Sequence, residues 1–106
     1  LQINPLFVAA WNNKGYALQS IERYEESIAA YDKAIAIDST FTMSLFNKGL
    51  VLGAIERHFE AIEMYRKVVA ISPNDFEAWI YMSGSLQELG QFNEMLEACN
   101  EAIKVN

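Results

Sequence analysis

A repeat of 34 residues is the feature of this sequence that most restricts its fold. When the 106-residue chain is aligned with itself at a shift of 34, three successive units coincide. The units are residues 8–41, 42–75 and 76–106. Trp11 then matches Leu45 and Trp79, and the motifs NKG and IER occur in both of the first two units. So many coincidences at one period indicate an array of similar structural units.

Each unit contains two stripes of apolar residues at helical spacing. In the first unit, apolar and small residues recur every three to four positions along residues 11–21 and again along residues 24–37. A short polar break at residues 22–23 separates the two stripes. We therefore predict that each unit is a hairpin of two helices, which we call A and B.

Capping residues stand between the predicted helices. Asn4 precedes Pro5, an arrangement typical of a helix start, because Asn caps free N–H groups and Pro needs none in the first turn. Residues 38–40 (DST) and 72–75 (SPND) offer similar stop and start signals between units.

The period of 34, the Trp–Gly–Leu pattern of helix A and the aromatic–Ala pattern of helix B resemble the tetratricopeptide repeat (TPR) family. The resemblance covers residues 8–106 as TPR 1, TPR 2 and TPR 3 within the unit boundaries above. Residues 1–7 (LQINPLF) resemble the tail of a preceding repeat, so we expect a fragment of a longer chain. The resemblance implies an all-α fold, in which antiparallel helix-hairpin repeats stack into a right-handed α-solenoid, with A helices lining a concave groove.

The resemblance also implies which residues face that groove, namely six slots of helix A in each unit. From these slots we predict a peptide-binding set that consists of Asn12, Asn13, Tyr16, Gln19, Met43, Phe46, Asn47, Leu50, Glu77, Ile80 and Tyr81. The remaining slots hold Ala9, Ser20, Gly53, Ala54, Gly84, Gln87 and Glu88. The predicted surface mixes amide groups with aromatic and aliphatic groups and carries little charge.

Asn13 and Asn47 occupy the same slot one repeat apart. A side-chain amide can donate to a peptide carbonyl and accept from a peptide N–H, so a ladder of such residues can hold an extended backbone. Tyr81 interrupts this predicted ladder after two rungs. The alternative interpretation is that these are ordinary surface residues.

One subfamily is excluded by its motif. Repeats that bind the acidic C-termini of heat-shock chaperones use a carboxylate clamp of Lys, Arg and Asn residues. The matching positions hold Asn12, Tyr16, Asn47, Glu77 and Tyr81. Only Asn47 agrees with the clamp, and Glu77 carries the opposite charge.

The sequence offers little for catalysis. His58 is the only histidine, its repeat counterparts are Tyr24 and Phe92, and Cys99 is the only cysteine. No phosphate-binding loop motif occurs, so we predict no enzyme, no metal and no cofactor. A segment of an enzyme with its chemistry elsewhere remains an alternative.

The net charge and the hydropathy of the chain argue against some classes of binding partner. The net charge of −6 argues against nucleic acid and acidic membranes, and no apolar run approaches the length of about 18 residues of a membrane span. A single cysteine suits a reducing compartment, so we expect a cytoplasmic location. We predict a protein–protein interaction module that binds a peptide segment. The alternative is a structural, self-associating scaffold segment that assembles through exposed terminal helices.

Overall fold

The computed structural model describes residues 4–105, which form six α-helices and no strand. The helices are α1 (Pro5–Ser20), α2 (Tyr24–Ile37), α3 (Thr42–Ala54), α4 (His58–Ile71), α5 (Phe76–Glu88) and α6 (Phe92–Val105). Residues 1–3 of the predicted preceding tail, and residue 106, lie outside the described residues, whereas residues 5–7 form the first turn of α1.

The first helix begins where the sequence predicts a cap. The Asn4 side-chain oxygen accepts a hydrogen bond from the Leu6 N–H at 2.9 Å, and Pro5 occupies the first turn. Asp75 caps α5 in the same manner, because its carboxylate accepts from the Ala78 N–H at 3.2 Å. Both caps satisfy N–H groups that have no partner inside the helix.

A left-handed residue closes each A helix. Glu22, Glu56 and Gly90 have φ angles of 62°, 68° and 72°, and they are equivalent positions of the three units. The following N–H donates back to the carbonyl of the residue five positions earlier, at 2.9 Å for Arg23 and 2.8 Å for Arg57. This is the geometry of a Schellman helix end. It accounts for the polar break in the sequence pattern at residues 22–23.

The helices pack as three antiparallel pairs stacked in chain order. α1 packs on α2, α3 on α4 and α5 on α6, while α3 and α5 also pack on the B helix of the preceding pair. The core runs through all three pairs and includes Tyr31, Leu45, Leu52, Tyr65 and Leu86. The predicted all-α repeat solenoid is confirmed.

Helix contact, rather than a turn, explains the glycines of the NKG motif. A Cβ at Gly15 would lie 2.6 Å from the Tyr31 ring, and one at Gly49 would lie 2.6 Å from the Tyr65 ring. Such distances are too short for carbon atoms that are not bonded. Each glycine therefore lets helix A approach the tyrosine of its own helix B.

The third pair replaces this contact with a different one. Ser83 stands at the glycine slot and Cys99 at the tyrosine slot, so the smaller partner on α6 leaves space for the serine side chain. The Ser83 hydroxyl donates to the Ile80 carbonyl at 2.6 Å. An open pocket of about 430 Å³ lies between α5 and α6, and Ser83 and the half-buried Cys99 form part of its lining.

Candidate functional site

Three aromatic rings line a groove between α3 and α5. The Phe46 and Tyr81 ring centroids lie 5.5 Å apart with the rings nearly perpendicular, and Tyr65 on α4 lies 5.8 Å from Phe46. Edge-to-face contacts of this kind are favourable beyond the area that they bury. Tyr65 is buried, whereas Tyr81 is exposed and Phe46 is half-buried. The rings thus form a fixed apolar floor with an accessible surface.

A first pocket, which we call the carboxylate pocket, opens on one side of these rings. It has a volume of about 350 Å³ and is lined by Thr42, Met43, Phe46, Asn47, Asp75 and Glu77. Asp75 uses one carboxylate oxygen to cap α5. Glu77 lies in the first turn of α5 and is exposed. The pocket combines an apolar wall with two negative charges.

A second pocket, which we call the glycine pocket, lies on the other side of Tyr81. It has a volume of about 500 Å³ and is lined by Leu50, Gly53, Ala54, His58, Tyr65, Ile80, Tyr81, Gly84, Ser85 and Glu88. A Cβ added at Gly53 or Gly84 would meet no atom within 4 Å, because the space beside both residues is open. His58 contributes a buried Nδ1 that has no hydrogen-bond partner within the described residues.

Asn12 does not lie on the accessible surface, so its predicted contact with a ligand is wrong. Its side chain is only 3% exposed, and its Oδ1 accepts from the Ser44 hydroxyl at 2.9 Å and from the Asn47 amide at 3.4 Å. Stacking of α3 on α1 buries this amide, and Ser44 satisfies it as a buried polar group requires. Asn12 therefore joins the first two units.

The asparagine ladder remains a prediction. Asn13 is exposed on α1, and Asn47 is half-buried on α3. Asn47 directs its amide towards Asn12 rather than towards Asn13, and it also lines the carboxylate pocket.

Tyr16 and Gln19 occupy the α1 part of the predicted surface. Tyr16 is exposed, whereas Gln19 is half-buried and accepts a hydrogen bond from the Tyr31 hydroxyl at 2.6 Å. Burial raises the pKa of Tyr31 to about 12, with a smaller contribution from nearby Tyr16. Burial likewise raises the pKa of Tyr65, with a smaller contribution from Tyr81. Gln19 is thus held by a phenol that stays protonated at neutral pH.

The structure brings together the predicted residues of the second and third units. Met43, Phe46, Asn47 and Glu77 share the carboxylate pocket, while Leu50, Ile80 and Tyr81 share the glycine pocket. Sequence reasoning missed five lining residues, which are Thr42, His58, Tyr65, Asp75 and Ser85. The slot pattern counts six positions of helix A only, so it carries no signal for a cap residue, for other positions of helix A or for side chains from helix B.

The carboxylates that line the two pockets have no lysine or arginine beside them among the other lining residues. The pockets contain Asp75, Glu77 and Glu88, and no lysine or arginine lines either one. Five of the eight lysine and arginine side chains form ion pairs outside these pockets, namely Lys48–Asp32, Arg57–Glu60, Arg66–Glu94, Arg23–Glu26 and Lys104–Glu101. The other three, Lys14, Lys33 and Lys67, line neither pocket. The groove is therefore negatively charged.

Residues 4–105 contain no group of three or more His, Cys, Asp or Glu side chains placed to hold a metal ion. Within the same range, no helix is long and apolar enough to cross a membrane.

Comparison with solved structures shows what the fold resembles. MamA is 24% identical with a TM-score of 0.90, over 92% of this chain and 54% of MamA. The first TPR domain of Spaghetti (RPAP3), solved bound to the HSP90 peptide SRMEEVD, is 14% identical with a TM-score of 0.94, over 100% of this chain and 84% of that domain. The Sgt2 TPR domain from Aspergillus fumigatus is 19% identical with a TM-score of 0.87, over 92% of this chain and 65% of that domain.

The chain thus spans about half the length of the MamA structures that it matches. A search of curated proteins found no significant match. Two sequence models of the tetratricopeptide repeat match residues 8–41 and 44–75, which together are more than half of the chain. The chain belongs to the tetratricopeptide repeat family.

Proposed function

We propose that this domain is a protein–protein interaction module that binds a peptide segment in the groove lined by its A helices. The observation that carries this proposal is the aromatic floor of Phe46, Tyr65 and Tyr81 with an open pocket on either side. Exposed aromatic and aliphatic side chains beside concave space favour contact with the apolar side chains of a ligand.

The bound segment, in this proposal, is extended or helical and carries apolar side chains. Met43, Ile80 and Tyr81 are exposed along the groove, and Leu50 is half-buried beside them. The RPAP3 domain of similar fold was solved with a peptide bound, which supports a peptide as the kind of ligand. Asn13 and Asn47 are proposed to hold the peptide backbone.

A selection from a random peptide display library tests this proposal. Peptides selected on the wild-type domain should bind at least fivefold more weakly to a variant with Phe46→Ala and Asn47→Ala, because this variant loses apolar area and an amide. Phe59→Ala is the matched control, since Phe59 is exposed on α4 and lines neither pocket. An equal loss of peptide affinity in both variants would contradict groove binding, provided that circular dichroism shows both variants to be folded.

A second candidate function is a self-associating scaffold, which one observation favours. Phe92, Leu96 and Ile103 form an exposed stripe along α6. Leu96 is 61% exposed, whereas its counterparts Ile28 and Ile62 are 8% and 5% exposed because the next A helix covers them. α1 of a second copy, which exposes Phe7, fits this stripe as α3 fits α2.

Light scattering across a concentration series separates the two candidates. The average molecular mass of a self-associating scaffold rises with concentration, and Leu96→Glu abolishes that rise. A peptide receptor stays monomeric in both forms of this 106-residue chain.

The remaining functional expectations follow from charge and composition. We propose that the domain has no enzymatic activity, since its sequence offers one histidine, one cysteine and no phosphate-binding loop motif. We also propose that it does not bind nucleic acid or membranes, since the net charge is −6. A cytoplasmic location fits the single, half-buried Cys99.

A further inference from the structure

Two glycines of the groove have no role in packing. Gly15 and Gly49 make room for tyrosine rings, and Gly90 has a positive φ, but Gly53 and Gly84 meet nothing that would oppose a Cβ. Glycine inside a helix is less favourable than alanine. Gly53 lies in the last turn of α3 and Gly84 near the middle of α5, and both line the glycine pocket. Their shared location indicates that this pocket is kept open for an occupant that approaches the backbone closely.

The walls of the glycine pocket define the occupant as a large apolar side chain. Leu50, Ile80 and the two tyrosine rings surround the open space beside the glycines. A methyl group at either glycine would project into this space and reduce it. An aromatic or branched aliphatic side chain fits such a volume and buries apolar surface against these walls.

The charges of the two pockets set a second requirement for the ligand. Asp75 and Glu77 line the carboxylate pocket and Glu88 the glycine pocket, on either side of the aromatic rings. The imidazole of His58 is the only basic group among the lining residues, and its Nε2 lies 3.4 Å from the Glu56 carboxylate. A cationic ligand is favoured in such a field, whereas an anionic ligand is repelled.

We propose that the groove selects a segment in which a large apolar side chain is accompanied by a lysine or arginine; this rests on the proposed peptide-binding function. The apolar side chain enters the glycine pocket. The methylene stem of the basic residue packs on Phe46 and Met43, and its cationic group reaches Glu77 in the carboxylate pocket. Its cation also lies close to aromatic rings, which attract positive charge.

The test uses random dodecapeptides displayed on phage, selected in parallel on three proteins. The wild-type domain should enrich sequences with Lys or Arg near Leu, Ile, Met or an aromatic residue. The variant Glu77→Gln with Glu88→Gln should lose the enrichment for Lys and Arg. The matched control is Glu63→Gln with Glu97→Gln, which makes the same change of charge on α4 and α6. Selection on this control should still enrich peptides that contain Lys or Arg.

Affinity of one selected peptide gives the quantitative test. Replacing its Lys by norleucine should weaken binding to the wild-type domain by about threefold to tenfold, and have little effect on binding to the Glu77→Gln, Glu88→Gln variant.

Gly84→Ala should raise the melting temperature and yet weaken binding of the peptide at least fivefold. This opposite effect on stability and binding distinguishes a ligand pocket from a merely tolerated glycine.

The outcomes separate this inference from the proposed function. Selected peptides that depend on Phe46 and Asn47 but show no excess of Lys or Arg overturn the inference and leave peptide binding intact. Gly84→Ala with unchanged affinity overturns the assignment of the glycine pocket. If no selected peptide depends on the groove residues, both proposals fail.

Discussion

At the scale of single residues, the contact between a glycine and a tyrosine defines how closely the helices of a unit pack. Gly15 lies against Tyr31 and Gly49 against Tyr65 at the same slots of two units. The third unit uses Ser83 and Cys99 there. The contact therefore depends on the summed size of two side chains rather than on glycine alone.

We predict that Gly15→Ala destabilises the domain by about 1–3 kcal/mol, because its Cβ would overlap the Tyr31 ring. Urea denaturation measures this change in the free energy of unfolding. Gly84→Ala is the control, because its Cβ has free space and alanine favours the helix; stability should rise by about 0.5–1 kcal/mol. Equal changes in the free energy of unfolding for the two substitutions would contradict the close contact between Gly15 and the Tyr31 ring.

The buried phenol of Tyr31 makes stability depend on alkaline pH. Its pKa is raised to about 12, above the value of about 10 in an unfolded chain. The folded state thus holds this proton more tightly, so its contribution to stability is fully present below pH 10 and is lost as the pH rises through about 12. We expect the free energy of unfolding to fall between pH 10 and 12 in urea titrations.

Tyr31→Phe provides the comparison for this pH effect. The variant loses the hydrogen bond to Gln19 and is expected to be less stable at pH 8. Its stability should fall less steeply between pH 10 and 12, since one titrating group is gone. If the free energy of unfolding falls equally steeply with pH in the wild type and in Tyr31→Phe, Tyr31 does not cause the pH dependence.

At the scale of secondary-structure elements, the turn after each A helix determines the hairpin. The same left-handed position holds Glu22, Glu56 and Gly90. A residue with a Cβ is strained in this conformation, whereas glycine adopts it freely. The third unit therefore has the residue that the geometry favours, and the first two units have a residue that it penalises.

We predict that Glu22→Gly stabilises the domain by up to about 1 kcal/mol, because relief of the strained φ exceeds the added entropy of the unfolded chain. Thermal unfolding followed by circular dichroism measures the change. Gly90→Ala is the reciprocal change, and we expect it to destabilise by about 1 kcal/mol. A decrease in stability for Glu22→Gly would show that the turn is not strained.

At the scale of the whole molecule, the distribution of charge bears on the proposed function, because it controls which peptides the proposed groove would accept. The RPAP3 domain was solved with the acidic peptide SRMEEVD. In the present chain Glu77 and Asp75 line the groove, and the buried Asn12 is unavailable to a ligand. An acidic C-terminus would meet like charges here.

We therefore predict that SRMEEVD does not bind this domain at micromolar concentrations. Fluorescence anisotropy with the labelled peptide measures this, and the RPAP3 domain serves as the positive control. Saturable binding with micromolar affinity would mean that the assignment of the groove is wrong.

The predictability of the site differs between its parts. The lining positions of α3 and α5 could be predicted, because the family resemblance assigns Phe46, Asn47 and Tyr81 to the groove-facing slots of helix A. Asn12 could not, since its burial depends on Ser44 of the next unit. The contribution of Asp75 depends on where the start of α5 lies relative to α3.

The sequence by itself determined the helices, their pairing into hairpins and the repeat that stacks them. These follow from local periodicity, turn residues and the need of each hairpin to cover its apolar face. Only the tertiary structure decided which polar side chains remain accessible and which carboxylates share a pocket. Those properties depend on the angle and offset between successive hairpins, through which Asn12 becomes buried while Gly53 and Gly84 face one open space.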